Sequence, residues 1–349
     1  MLAEKTVETD ITEVTNKELS VRLTKRLIVF GVASGLLVVA GLLSMRFGSV
    51  SYSTGEIIRS LIGVEATTAK VIVMDIRLPR TLLAMMVGAN LAIAGALLQA
   101  VMRNPLADPG LTGVSAGGGL AAVTIMLVFP EMTRYVPLAA FVGGIVAAFM
   151  VYTLAWKRGI DPIRIILAGV AVNAILGGGI ALLSILYSDR IQGVLMWLNG
   201  SMAAKSWYHV NILAPYSIVG LIAAIFCINT SNVLQLGDDA AKNLGVKVNL
   251  ARILLSMTAA FLAGISVAMV GLIGFIGLVV PHISRLLVGT DYRFMLPVSA
   301  VIGATLLTLA DTGARTAFSP VELPVGIIMA IIGGPFFLYL LRRGGTYRV

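Results

Sequence analysis

The chain has 349 residues, of which 58% are hydrophobic and only 12% charged, with a mean hydropathy of +0.95. Soluble domains carry about 25% charged residues, so a water-soluble globular fold is excluded and the chain is read as an all-α polytopic membrane protein. The formal net charge of +9 does not point to nucleic acid, because the bases are scattered and flank apolar runs.

Residues 1–26 mix acids (Glu4, Glu8, Asp10, Glu13, Glu18) with bases (Lys5, Lys17, Arg22, Lys25, Arg26) and read as a loosely ordered tail or a surface helix. The membrane domain is expected over 27–349. Its first apolar run, Leu27–Ser44, is longer than a signal-peptide h-region, and no small-residue cleavage site follows it. Further spans near the bilayer length of about 20 residues are expected over Thr81–Gln99, Gly113–Phe129, Val136–Ala155, Ile163–Tyr187 and Ile212–Thr230. Leu250–Met269, Leu272–Leu287, Met295–Ala310 and Val321–Leu341 complete a set of about ten, which puts both termini on one side.

Nine of the 26 Lys and Arg residues fall on the side away from the termini: Arg46, Arg59, Lys70, Arg77, Arg80, Arg134, Arg190, Lys205 and Arg315. The other seventeen, Arg348 among them, share the terminal side, a bias that places both ends in the cytoplasm. Trp156 beside Lys157 and Arg158 reads as an inner interface anchor, and Trp197 and Trp207 read as outer ones.

Glycines recur within spans, as Gly31/Gly35, Gly113/Gly117 and the runs Gly117–Gly119 and Gly177–Gly179. Small residues let membrane helices approach closely, and most of these are expected to pack. No glycine directly precedes a lysine, so the chain carries no G-x-x-x-x-G-K-[ST] nucleotide loop. Cys227 lies in an apolar run and reads as a small core residue, while His209 and His282 lack a second ligand at metal spacing. No metal site is expected. Proton-coupled carriers use buried carboxylates or histidines; here the acids near membrane depth, Asp311 and Glu322, sit at span ends. Protease motifs are missing too, and no catalytic residue is expected.

Three loops are richer than packing requires: Arg77-Leu78-Pro79-Arg80, the stretch Arg103-Asn104-Pro105-Leu106-Ala107-Asp108-Pro109 with Gly113-Val114-Ser115, and Leu236–Val246. The last sets Asp238 and Asp239 ahead of an alanine pair between Gly237 and Gly245, the pattern of a short helix with acids in its first turn. Pro281-His282 reads as a helix break or as a kink whose freed carbonyl a neighbouring helix satisfies. Asn90 and Asn173 are polar residues within spans, suited to interhelical hydrogen bonds, with Asn173 also a candidate to face a pathway.

These loops resemble those of the FecCD family, the membrane subunits of importers for ferric siderophores, haem and vitamin B12. The likeness runs through Gly88–Gln99, Gly274–His282 with Arg285, Asp311 and Arg315, Glu322–Gly326, and Gly334-Pro335-Phe336. It implies a BtuC-like type II ABC importer permease fold in a bacterial cell membrane, working as a homo- or heterodimer of permeases. Its implied partners are two cytoplasmic ATPase subunits, an extracytoplasmic substrate-binding protein and membrane lipid. The chain itself would bind no cofactor, and ATP and Mg would be used by the ATPase partners. By residue, the resemblance implies binding-protein docking at Arg77, Arg80 and Arg315, the competing use being interface anchoring or pairing within the subunit. It implies ATPase coupling at Gly237, Asp238, Asp239, Ala240, Lys242, Leu244 and Gly245, and a gate or pathway role for Asn173, Pro281 and His282. A ferric siderophore is the expected cargo, with haem or cobalamin as alternatives inside the family and a stand-alone secondary transporter outside it.

Overall fold

A computed structural model describes residues 2–48, 52–62, 68–157 and 159–343. Arg158, Arg348 and the side chains of residues 1–19 lie outside the described residues. Apolar helices are α1 (Leu2–Arg46), α2 (Leu78–Met102), α3 (Val114–Val128), α4 (Val136–Ala155), α5 (Pro162–Leu186), α6 (Trp207–Phe226), α7 (Val248–Val270), α8 (Ile276–Val288), α9 (Tyr292–Thr316) and α10 (Val325–Arg343). Among the described residues, seven helical stretches are long and apolar enough to cross a membrane, and three shorter apolar helices join them. Each of the ten expected spans therefore overlaps one of these helices, although Ile212–Thr230 runs past the end of α6 at Cys227 into a second short helix, Ile228–Leu234. α1 continues without a break through residue 26, so the polar tail and the first span form one helix.

Two features of the α1–α2 connection were not expected. An amphipathic helix, Thr54–Leu61, is closed at its start by a capping box, in which Ser53 and Glu56 satisfy each other's backbone N–H groups. A short helix and a π-helical turn, Ile72–Arg77, then run straight into α2. Elsewhere local chemistry sets the ends: α2 stops at Arg103 in a left-handed conformation, and Asp291 caps α9 by accepting from the Arg293 N–H at 3.0 Å. Burial pushes the Asp291 carboxyl upward, but hydrogen bonds from Arg293 and Asn232 outweigh it and hold the group below the ordinary carboxylate range.

α2 is the central mast. Its most apolar stretch is 78% buried and that of α7 is 72% buried, against 17% for α5, so the first two form the core and α5 presents a mostly open face. α2 packs against α9, α7, α8 and α6. A bilayer supplies no hydrophobic force between helices, so contact depends on fit. At Gly95 the fit is backbone on backbone: a Cβ there would overlap the carbonyl of Gly277 on α8, and one on Gly88 would overlap that of Gly303 on α9. Gly117 is packed in the same way against Gly143. The expectation that most span glycines pack is corrected for Gly31, Gly35, Gly177 and Gly178, which have nothing within 4 Å, because they lie on outward faces of α1 and α5.

Gly95→Leu should force α2 and α8 apart and lower the unfolding midpoint in detergent by the equivalent of about 1–3 kcal/mol. Gly31→Ala, at an open position, should leave the midpoint unchanged; equal effects would contradict this packing.

Candidate functional site

The bundle has two polar ends, joined by α2, with Arg80 near one and Arg103 at the other. At the Arg80 end the structure gathers the three arginines of the sequence reading, but it turns them inward. Arg77, Arg80 and Arg315 are 4%, 8% and 6% exposed. Arg80 makes a two-pronged contact with Asp311, Nε to Oδ2 at 2.8 Å and Nη2 to Oδ1 at 2.9 Å, and its Nη1 donates to Glu322 Oε2 at 2.9 Å. Arg77 donates to the Met45 and Arg46 carbonyls at 2.6 and 3.0 Å and lies over the Tyr52 ring. Arg315 donates to the Ser44 carbonyl and, at 2.9 Å, to the Ser44 hydroxyl.

The physical reason is solvation. A guanidinium at a helix end needs acceptors, and the last turn of α1 offers carbonyls that no helix N–H fills. The arginines thereby staple α1, α2 and α9 together. Pairing within the subunit, the competing use of these arginines, takes the form of Arg80 with Asp311 and Glu322. Glu322, with 43% of its side chain exposed, is the charge this cluster shows to the surroundings.

At the other end, the stretch expected as a rigid coupling element is a six-residue helix, Asp238–Asn243, between Leu236 and Val246. Gly237 (φ 102) and Gly245 (φ 79) take conformations that side chains disfavour, which fixes where the chain enters and leaves. The helix closes with the paired bonds of a Schellman cap, Gly245 N–H to the Lys242 carbonyl and Val246 N–H to the Ala241 carbonyl. Ala241 is fully buried and joins the main core. Asp239, Lys242 and Leu244 are exposed, with Leu244 at 62%, whereas Asp238 is turned toward the bundle and accepts from Arg252.

Between the ends, Pro281 sits inside α8 and lacks the N–H that would reach the Gly277 carbonyl. Gln99 of α2 supplies the missing donor, its Nε2 lying 3.3 Å from that carbonyl, and its Oε1 accepts from Arg285 at 2.9 Å. His282 is half-buried beside this contact. Asn90 donates to Ser217 at 2.7 Å, and Asn173 on α5 donates to the Gly110 carbonyl at 2.9 Å. Thus Asn173 touches the 103–113 loop, and α8 meets the same loop at Gly277, one turn before Pro281.

A cavity of about 230 Å³ lies among Leu91, Asp108, Gly110, Ser115, Val267 and Gly274. Asp108 caps the turn after it by accepting from the Gly110 N–H at 2.8 Å, and burial pushes its carboxyl above the ordinary range. Among the described residues no three His, Cys, Asp or Glu side chains meet to hold a metal ion. Sequence reasoning missed Gln99, Arg103 and Arg252 as contact-making residues. The available signal was a lone amide or guanidinium inside or at the end of an apolar run, which in a bilayer must find a partner.

Arg80→Ala would strand the buried Asp311 carboxylate and should cost about 3–5 kcal/mol, read as a lowered unfolding midpoint. Glu322→Gln, at a half-exposed site, should cost about 1 kcal/mol or less. An Arg80→Ala protein as stable as wild type would mean that the cluster does not hold the helices.

The model of the FecCD transport family matches residues 36–343. The chain is 41% identical over 308 residues to the Fe(3+)-citrate import system permease protein YfmE of Bacillus subtilis, covering 88% of this chain and 92% of that one. It is 44% identical over 277 residues to the cobalamin import system permease protein BtuC of Halobacterium salinarum, covering 79% and 74%. Among solved structures it is similar, with a TM-score of 0.75 and 28% identity, to one described as an inward-facing metal-chelate type ABC transporter, covering 90% of this chain and 99% of that one. Ten apolar helices, the shared fold and a family match across nearly the whole membrane domain lead to one conclusion: this multi-pass membrane protein belongs to the FecCD transport family.

Proposed function

We propose that this chain is the membrane-spanning permease subunit of an ABC importer that takes up a ferric siderophore or a similar ferric chelate. The observation that carries this reading is the near full-length likeness to a ferric-citrate permease. The chain has no phosphate loop of the Walker type, so the energy would come from two partner ATPase subunits that use ATP and Mg. A second permease, identical or related, would complete the path, and the open face of α5 is suited to meet it or lipid.

The Asp238 end would then be cytoplasmic, with Leu244 as an apolar anchor for the ATPase and Asp239 and Lys242 as charges around it. Seating the exposed Leu244 side chain in a groove of the ATPase would remove its apolar surface from water. The binding protein would dock at the Arg80 end. There a carboxylate of the binding protein would reach Arg80 by taking the place of Glu322, an exchange of like partners that sets orientation more than affinity. Pro281 and His282, with Asn173 against the 103–113 loop, are assigned to the walls of the path.

Cobalamin is the second reading for cargo, favoured by the likeness to the Halobacterium salinarum permease. Two measurements test the proposal. The tagged wild-type chain should co-purify with an ATPase, and Leu244→Glu should reduce that recovery roughly tenfold, the effect of losing one anchor. In liposomes with the binding protein, ferric chelate rather than cobalamin should stimulate ATP hydrolysis. Uptake driven by an ion gradient with no partner subunit would overturn the reading.

A further inference from the structure

Asp238 opens the coupling helix, yet it is held from the membrane side. Its Oδ1 accepts from Nη2 of Arg252 at 2.9 Å and lies 3.6 Å from Nη2 of Arg103. Arg252 is 3% exposed in the first turns of α7, and its Nη1 donates to the Ile160 carbonyl at 2.6 Å. Arg103 is the left-handed residue that ends α2 and begins the loop to Gly113. Asn249, also on α7, accepts from the Ile160 N–H at 3.1 Å, so the turn between α4 and α5 joins the same cluster. One carboxylate oxygen therefore ties the 238–243 helix to α7 and to the exit of α2.

Both attachments lead to the cavity. The loop that starts at Arg103 contributes Asp108 and Gly110 to its wall, and α7 contributes Ala263 and Val267. The exposed members of the same helix, Asp239, Lys242 and Leu244, make none of these contacts: Lys242 pairs only with Asp239, at 3.3 Å. The helix is thus divided between an outward set, open to a partner, and an inward pair, the charged Asp238 and the buried Ala241. We propose that Asp238, Arg252 and Arg103 form a joint that carries movement of the coupling helix to α7 and to the cavity-lining 103–113 loop. These three are positioning residues rather than contacts with the ATPase.

The joint is stiff for a physical reason. Arg252 is buried, and its Nε has no hydrogen-bond partner among the described residues, so releasing Asp238 would strand a guanidinium that is already under-satisfied. When the helix shifts, moving Arg252 and α7 with it is favoured over breaking the pair. Gly237 and Gly245 flank the helix with backbone that tolerates large dihedral change, so it can shift as a unit while Asp238 and Ala241 stay seated on the bundle.

This inference rests on the reading of 237–245 as the ATPase contact, and the experiment separates the two. The complete importer, reconstituted in liposomes, is assayed for ATPase recovery and for cargo moved per ATP hydrolysed. Arg103→Gln and Arg252→Lys should retain the ATPase while the transport-to-hydrolysis ratio falls. The fall should be about tenfold for Arg252→Lys, the factor that one lost charge-assisted bond implies, and about two- to fivefold for Arg103→Gln, whose ion pair is half-exposed. Asp238→Asn should lower the ratio, and Asp238→Glu should restore most of it. Arg103→Gln, at a half-exposed side chain, guards against misfolding of the buried variant. A wild-type ratio in Arg103→Gln and Asp238→Asn would overturn the joint. Loss of the ATPase with a normal ratio in what remains would make these residues docking contacts and overturn it as well. A wild-type complex without any ATPase would instead defeat the underlying assignment of the coupling helix.

Discussion

A guanidinium or an unpaired carbonyl cannot be left unmet in a bilayer, and this structure is arranged around that requirement. Water is absent from the hydrocarbon region, and each unsatisfied polar group there costs several kcal/mol in principle. Arg77, Arg80 and Arg315 at one end, and Gln99 and Arg252 toward the other, each reach groups outside their own helix. With no hydrophobic force between helices, these directed contacts decide which helices are neighbours.

The same requirement explains why α2 is central. Its small residues let α8 and α9 come to backbone contact at Gly95 and Gly88. Close approach is also what brings Gln99 within reach of the carbonyl that Pro281 leaves free. A proline in α8 is therefore tolerated by virtue of a glycine and a glutamine on its neighbour. Gly95 and Gln99 stand four residues apart, which puts them on one face of α2.

Much of the fold was legible from apolar run length: all ten runs became helices, and Val136–Ala155 matched end to end. The coupling element was legible because Gly237 and Gly245 bracket a helix-forming stretch, and the observed cap uses Gly245 in that way. Side-chain direction at the ends was not legible. Counting charges assigned Arg77, Arg80 and Arg315 to one end, where they are, but a charge count carries no information on whether a long side chain points to water or folds back on a carbonyl. Asp238 and Asp239 are adjacent and chemically identical, yet one is bound to Arg252 and the other is open. That distinction depends on the approach of α7, about which local sequence is silent.

The two polar ends differ in how they can move. At the Arg80 end the partners lie on helices already locked by close packing, α2 against α9, and the arginines add to that lock. At the Asp238 end the partners include two loops and a short helix flanked by glycines, so the pair can be kept while the surrounding backbone changes. A displacement at that end would be resisted least by its loops and most by the staple at the far end. Of the helices that the joint reaches, α2 is held by that staple and α7 is not, so a displacement would pass more readily to α7 and to the wall that Val267 and Gly110 share.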